Sequence, residues 1–152
     1  MRFEGERRLS APVEQVREAL HDPTVLRRAI PACRELAAVG PDHFLATLTV
    51  QVGPLTDTYR GMFTVTDTED GLRVGVDAHG RRGRLTLDLR TALRCAGPGT
   101  TLRYVADATV GGLVARVGGP AMHVVGARLT TCFFHDLERA LVAAPRRSGA
   151  LV

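Results

Sequence analysis

Toward the end of the chain Met122, Val125, Leu129, Phe133, Leu137, Ala140 and Ala144 recur at spacings of three and four, so they share one face of a helix. His135, Glu138, Arg139, Thr131 and Arg128 fall on the other side. Pro120 suits the first helical position and Pro145 ends the run, which spans roughly 36 Å at ~1.5 Å per residue. Upstream, Gly111-Gly112 and Gly118-Gly119 bracket a short apolar turn, and residues 111–119 read as a hinged flap. At the other end, Phe3 to Leu9 alternates weakly and carries charges, the pattern of an edge strand. Ser10-Ala11-Pro12-Val13-Glu14 predicts an N-cap and a helix through Val16, Ala19 and Leu20 to His21. Asp22-Pro23 starts a second short helix that closes at Ile30-Pro31.

Between these ends the period is two. Strands are predicted at about 33–39, 43–51, 55–67, 72–79, 84–95 and 100–109, separated by Gly/Pro/Asp turns too short for parallel crossovers. One face collects Phe44, Ala46, Leu48 and Val50; Tyr59, Gly61, Phe63 and Val65; Leu72, Val74, Val76 and Ala78; Leu85, Leu87, Leu89 and Leu93; and Leu102, Tyr104, Ala106 and Ala108. The opposite face is polar, with Thr47, Arg60, Arg73, Asp77, Asp88 and Arg103 among its members. The expectation is an α+β domain: a seven-stranded antiparallel curved sheet, wet on one side, with a long helix over its oily side. That domain is expected over residues 1–145, with 146–152 as a C-terminal tail.

Composition narrows the function classes. The chain has 152 residues, ordinary for one domain, with no Trp. Its net charge of +4 invites a nucleic-acid reading, yet all of its basic residues are Arg and they are scattered, without interleaved aromatics. Cys33, Cys95 and Cys132 are too far apart for a disulfide framework or zinc knuckle. His21, His43, His79, His123 and His135 form no metal-ligand spacing, and no phosphate loop, dinucleotide fingerprint or nucleophile elbow occurs. No cofactor is expected. A polar start and the lack of a ~20-residue apolar run predict a cytoplasmic protein with reduced thiols.

A straight rod over a curved sheet leaves room. An empty apolar void costs about 24 cal/mol per Å³, so one of about 400 Å³ would cost on the order of 10 kcal/mol, comparable with a domain's whole net stability. The room is therefore collapsed, wet or filled. Small residues on the oily face (Ala46, Gly61, Ala78, Ala106, Ala108) favour space.

Several groups of residues carry a resemblance. They are Phe3-Glu4-Gly5, Ala11-Pro12-Val13-Glu14-Gln15-Val16, Asp22-Pro23 with Ile30-Pro31-Ala32-Cys33-Arg34-Glu35-Leu36, and Val52-Gly53-Pro54 with Gly61. Further on come Gly80-Arg81-Arg82-Gly83, Thr100-Thr101-Leu102 with Tyr104 and Ala106-Asp107, Val110-Gly111-Gly112 and Phe133-Phe134. In order and spacing these resemble the carbon monoxide dehydrogenase G-subunit (CoxG) family of the helix-grip, START-like superfamily. The family usually has glycine where this chain has Ala32, and Gly118-Gly119-Pro120 departs from its more continuous helix.

The resemblance implies a non-catalytic accessory protein that binds a lipid or quinone in the grip and serves a molybdenum hydroxylase of the carbon monoxide dehydrogenase type, with peripheral contact at the inner membrane and no nucleic acid. The pocket candidates are Tyr59, Phe63, Val65, Val74, Val76, Leu85, Leu87, Tyr104, Leu113, Val117, Met122, Val125, Leu129 and Phe133. Tyr59 and Tyr104 are the groups that would offer a hydroxyl to a carbonyl oxygen. Asp136, at the edge of the helical stripe, is expected to pair with an arginine. The rival readings are a polyketide cyclase or dehydratase, which needs an acid or base inside the cavity, and a ligand-free adaptor.

Overall fold

The computed structural model describes residues 1–52, 54–112 and 119–143. In chain order the elements are β1 (Arg2–Leu9), α1 (Val13–His21), α2 (Pro23–Ala29), β2 (Cys33–Gly40), β3 (His43–Val52), β4 (Leu55–Asp67), β5 (Leu72–Gly80), β6 (Gly83–Ala96), β7 (Gly99–Gly112) and α3 (Gly119–Ala143). The strands form one antiparallel sheet in the order β1-β7-β6-β5-β4-β3-β2, so six consecutive strands meander and β1 returns to pair with the last. This is the expected architecture, with α3 beginning one residue before Pro120.

Register explains the two-sided sheet. Ala108, Leu87, Val76, Phe63 and Phe44 stand opposite one another across five strands, and Ala106, Leu89, Val74 and Val65 form the next row. These rows face inward. The outer face carries ion pairs such as Arg73–Asp88 at 3.0 Å and Arg84–Asp77 at 3.0 Å.

The two short helices close one end of the concave side. Asp22 accepts a hydrogen bond from the Thr24 amide at 2.9 Å and Pro23 occupies the first turn, so α2 starts as its sequence predicts. The start of α1 differs. Pro12 is its N-cap residue and no side chain caps it. The Ser10 amide instead donates to the Glu138 carboxylate of α3 at 3.0 Å. A long-range acceptor thus takes the donor of a residue expected to cap, and Glu138 is half-buried rather than on the solvent side.

Helix α3 buries Met122, Phe134, Leu137 and Leu141. Its stripe is rotated slightly from the expected one. Phe134 is buried against Tyr104, with ring centroids 5.0 Å apart, while Phe133 is half-buried and meets Phe134 edge-on. The helix packs chiefly on α2, and its first half lies against β1 at Phe3. There Gly126 makes the close approach possible, because any Cβ would overlap the Phe3 ring, which also stacks on His123. Asp136 forms no ion pair or hydrogen bond among the described residues, contrary to the arginine pairing expected for it.

Candidate functional site

The concave face is built by β3 to β7, and alternation puts every second side chain there. Of the pocket candidates, Tyr59, Phe63, Val65, Val76, Tyr104 and Met122 are buried. Val74, Leu85, Leu87, Val125, Leu129 and Phe133 are half-buried. Leu113 and Val117 lie outside the described residues, as does 113–118 of the segment 111–119 expected as a flap, whose described ends are regular structure instead: Gly111 and Gly112 pair with Arg84 and Gly83 in the sheet and Gly119 opens α3. Register brings Phe63, Val65, Val74, Val76, Leu85 and Leu87 into one contiguous apolar surface on β4, β5 and β6, continued by Leu89 and Val110. Inward leucines of central strands are ordinarily among the most buried positions. Here Leu85, Leu87 and Leu89 all keep part of their surface accessible.

The two tyrosines belong to one hydrophobic core but stand at opposite ends of it. Tyr59 sits one residue beyond the Arg60–His79 pair, level with the β5–β6 hairpin tip, and faces Leu48 across β3. Tyr104 pairs with Gly5 and Thr91, eight residues back along β7 from the Gly83–Gly112 pair at that tip. At ~3.3 Å per residue the two rings are separated by on the order of 20 Å, so they cannot hold one head group together.

One acid is buried near the tip. Asp57 is 8 % exposed and is the one buried charged residue among those described. Its Oδ1 accepts from the Thr58 amide at 2.9 Å and its Oδ2 from the Arg82 amide at 3.0 Å, so the carboxylate ties down the turn between β5 and β6. Gly80 is needed beside it, since a Cβ there would approach Oδ2 within 2.5 Å. Burial, and then the charge of Asp57, push the Tyr59 hydroxyl above its ordinary range and keep it a neutral donor. Asp57 alternates in phase with Tyr59, a signal that the sequence pattern carried and that the inward set above omits.

Beside this tip an open groove of about 570 Å³ is lined by Gly80 to Arg84, Gly111 and Gly112. No cluster able to hold a metal ion occurs among the described residues, and no helix among them is long and apolar enough to cross a membrane.

Comparison with known proteins decides the family. The model of the carbon monoxide dehydrogenase G-subunit family (CoxG) matches residues 5–142. The chain belongs to the CoxG family. Among solved structures, a conserved protein from Geobacillus kaustophilus shares 26% identity with this CoxG chain at a TM-score of 0.86, over 93% of this chain and 95% of that one. The Zhui aromatase/cyclase from Streptomyces sp. R1128 shares 16% identity at a TM-score of 0.71, covering 98% of both chains. A START superfamily protein from Mycobacterium smegmatis shares 12% identity at 0.70, over 92% of this chain and 96% of that one. The last two share the fold. No curated protein matches significantly. A START-like CoxG chain with an apolar concave face is consistent with hydrophobic-ligand binding, and the family is that of an accessory protein.

Proposed function

We propose that this CoxG protein carries a hydrophobic, membrane-derived molecule, a lipid or quinone, between α3 and the concave face, and serves a carbon monoxide dehydrogenase-type molybdenum hydroxylase without catalysing a reaction itself. The observation that carries this reading is the row of half-buried leucines, Leu85, Leu87 and Leu89, on a central strand. Partly accessible apolar surface inside a grip is costly when wet, and an apolar ligand removes it from water at about 25 cal/mol per Å². Phe63, Val65, Val74, Val76, Met122, Val125 and Leu129 would line the same slot. Linking the partner enzyme to the quinone pool requires only that the molecule be taken up at a membrane surface and released to that enzyme.

A cyclase reading draws on the shared fold with an aromatase/cyclase. Against it, the buried acid Asp57 is already occupied by two backbone amides. The test is uptake of menaquinone by the purified protein, read by mass spectrometry after gel filtration. Leu87→Asp on the inner face should lower uptake at least tenfold and Thr86→Asp on the outer face should not. No bound lipid or quinone in the purified protein, together with no uptake, would sink the carrier reading.

A further inference from the structure

A second cavity lies away from the leucine row, between the edge strand and the first half of α3. It holds about 350 Å³ and is lined by residues of β1, β7 and α3. Gly5 creates it. With no side chain at that position the Tyr104 hydroxyl lies open beneath the strand, and a Cβ on Gly5 would stand 2.7 Å from its oxygen. One wall is the Phe3 ring stacked on His123. The opposite wall is Arg7, whose guanidinium lies 5.6 Å from the centroid of the Phe134 ring.

The donors here are unmatched. Arg7 alternates inward with Phe3, Gly5 and Leu9, and it has no ion pair or hydrogen bond among the described residues, unlike the outward Arg73, Arg84, Arg90 and Arg103, which all meet carboxylates. The Tyr104 hydroxyl likewise has no hydrogen-bond partner among them. Glu4, the one carboxylate on the rim, is paired with Arg2 at 3.8 Å. Thr130 spends its proton on the Gly126 carbonyl at 2.8 Å, which leaves Thr131 as the helix's free hydroxyl.

We infer that this edge pocket binds an oxyanion, a carboxylate or phosphate group, with Arg7 as its charged fork and Tyr104 as a second donor. A guanidinium matches both anions with two parallel hydrogen bonds, and stacking on Phe134 pre-orients it. A cation would be repelled by the Arg7 guanidinium, with Glu4, the one lining carboxylate, already paired with Arg2, and an apolar group would leave both donors dry and unpaired. The volume suits a head group with a short stem rather than a long isoprenoid tail. The site does not require the leucine slot to be loaded.

The test is an NMR titration of the full chain, following the amides of Gly5, Tyr104 and Thr131 and the Nε of Arg7, with four probes: inorganic phosphate, acetate, decyl phosphate and decanoate, the last two below micelle formation. Saturable shifts at these four positions are expected, weakened at least tenfold by Arg7→Gln and at least threefold by Tyr104→Phe. Arg8→Gln, which removes the same charge from the outer face, should stay within twofold of the parent. Saturation by phosphate or acetate identifies a free ion as the ligand, and saturation by the decyl probes alone identifies the head group of an amphiphile. Absence of saturable shifts with all four probes overturns the assignment, as does an Arg8→Gln loss equal to that of Arg7→Gln. Should Arg7→Gln fail to fold, Tyr104→Phe, which removes a single oxygen, decides the matter.

Discussion

Ala32 has a φ of 60°, in the left-handed region, between the end of α2 and the start of β2. An L-residue with a Cβ pays about 1–2 kcal/mol there. The position cannot relax easily, because the Ala32 carbonyl accepts a hydrogen bond from the Thr49 amide at 3.1 Å and so fixes where β2 meets β3. This gives a physical reason to expect glycine at this position. Ala32→Gly relieves the strain and adds about 0.5–1 kcal/mol of unfolded-chain entropy against it. The expected net gain is about 0.5 kcal/mol, read as a higher urea midpoint with an unchanged slope. Asp42, at 58°, is the other such residue, and a short polar side chain tolerates that backbone better. What a sequence says about single residues is uneven in a similar way. Asp22-Pro23 was readable because capping is local, whereas the Ser10 amide found its acceptor in Glu138, 128 residues away.

Elements were the most legible level, since alternation and helical period are imposed on every residue of a run. All seven strands and three helices stand where the pattern puts them. The face of α3 was less certain because Phe133 and Phe134 are both large and adjacent, and only packing on Tyr104 selects the second. How elements are tied to each other was not readable at all. His21, at the end of α1, has Nδ1 2.6 Å from Asp42 in the β2–β3 turn and Nε2 2.9 Å from Asp67 at the end of β4. Arg17 of α1 joins the same cluster, with one nitrogen 3.3 Å from Asp67 and 2.8 Å from the Gly71 carbonyl. Only a doubly protonated ring donates to both carboxylates.

Burial opposes charge on that ring, but the hydrogen bonds to Asp67 and Asp42 outweigh it and raise the His21 pKa above 6.5. The hydrogen bond from His21 leads the causes that hold Asp67 below 3.8. The His21 contribution is full below 6.5 and is lost as pH rises through its raised pKa. The Asp67 contribution is present above 3.8 and is lost as pH falls through its lowered pKa. The clip is therefore strongest between about pH 4 and 6.5 and loosens on either side. Chemical denaturation at pH 5.5 and 8.5 should show the parent losing more stability across that interval than His21→Gln. Equal losses would remove His21 from the account.

For the molecule as a whole, the inner surface was legible as a list of alternating side chains, but its division into regions was not. Tyr59 and Tyr104 fall on one face of the sequence pattern, and only strand register sets them at opposite ends. Arg7 looked like one more charge on a solvated edge strand, since nothing in β1 alone reveals that α3 will lie beside it. If the grip is loaded as proposed, the whole fold should respond by mass action. Ligand at about 100 times its dissociation constant adds about 2.7 kcal/mol, or roughly 5–10 °C in melting temperature for a chain of this size. Calorimetry with and without menaquinone measures that rise, and an unchanged melting point at saturating ligand would contradict it.

The pairing of β1 with β7 also dictates how the chain must assemble. Among the described residues its first strand has no other neighbour in the sheet, so the opening residues wait until everything through Asp107 has been made. At ~5–20 residues per second that delay is about 5–20 s on the ribosome. An oily segment left single for so long would invite aggregation, and the sequence Arg-Phe-Glu-Gly-Glu-Arg-Arg-Leu is charged at five of its eight positions. The strand that completes the sheet is thus the one best able to remain in water beforehand.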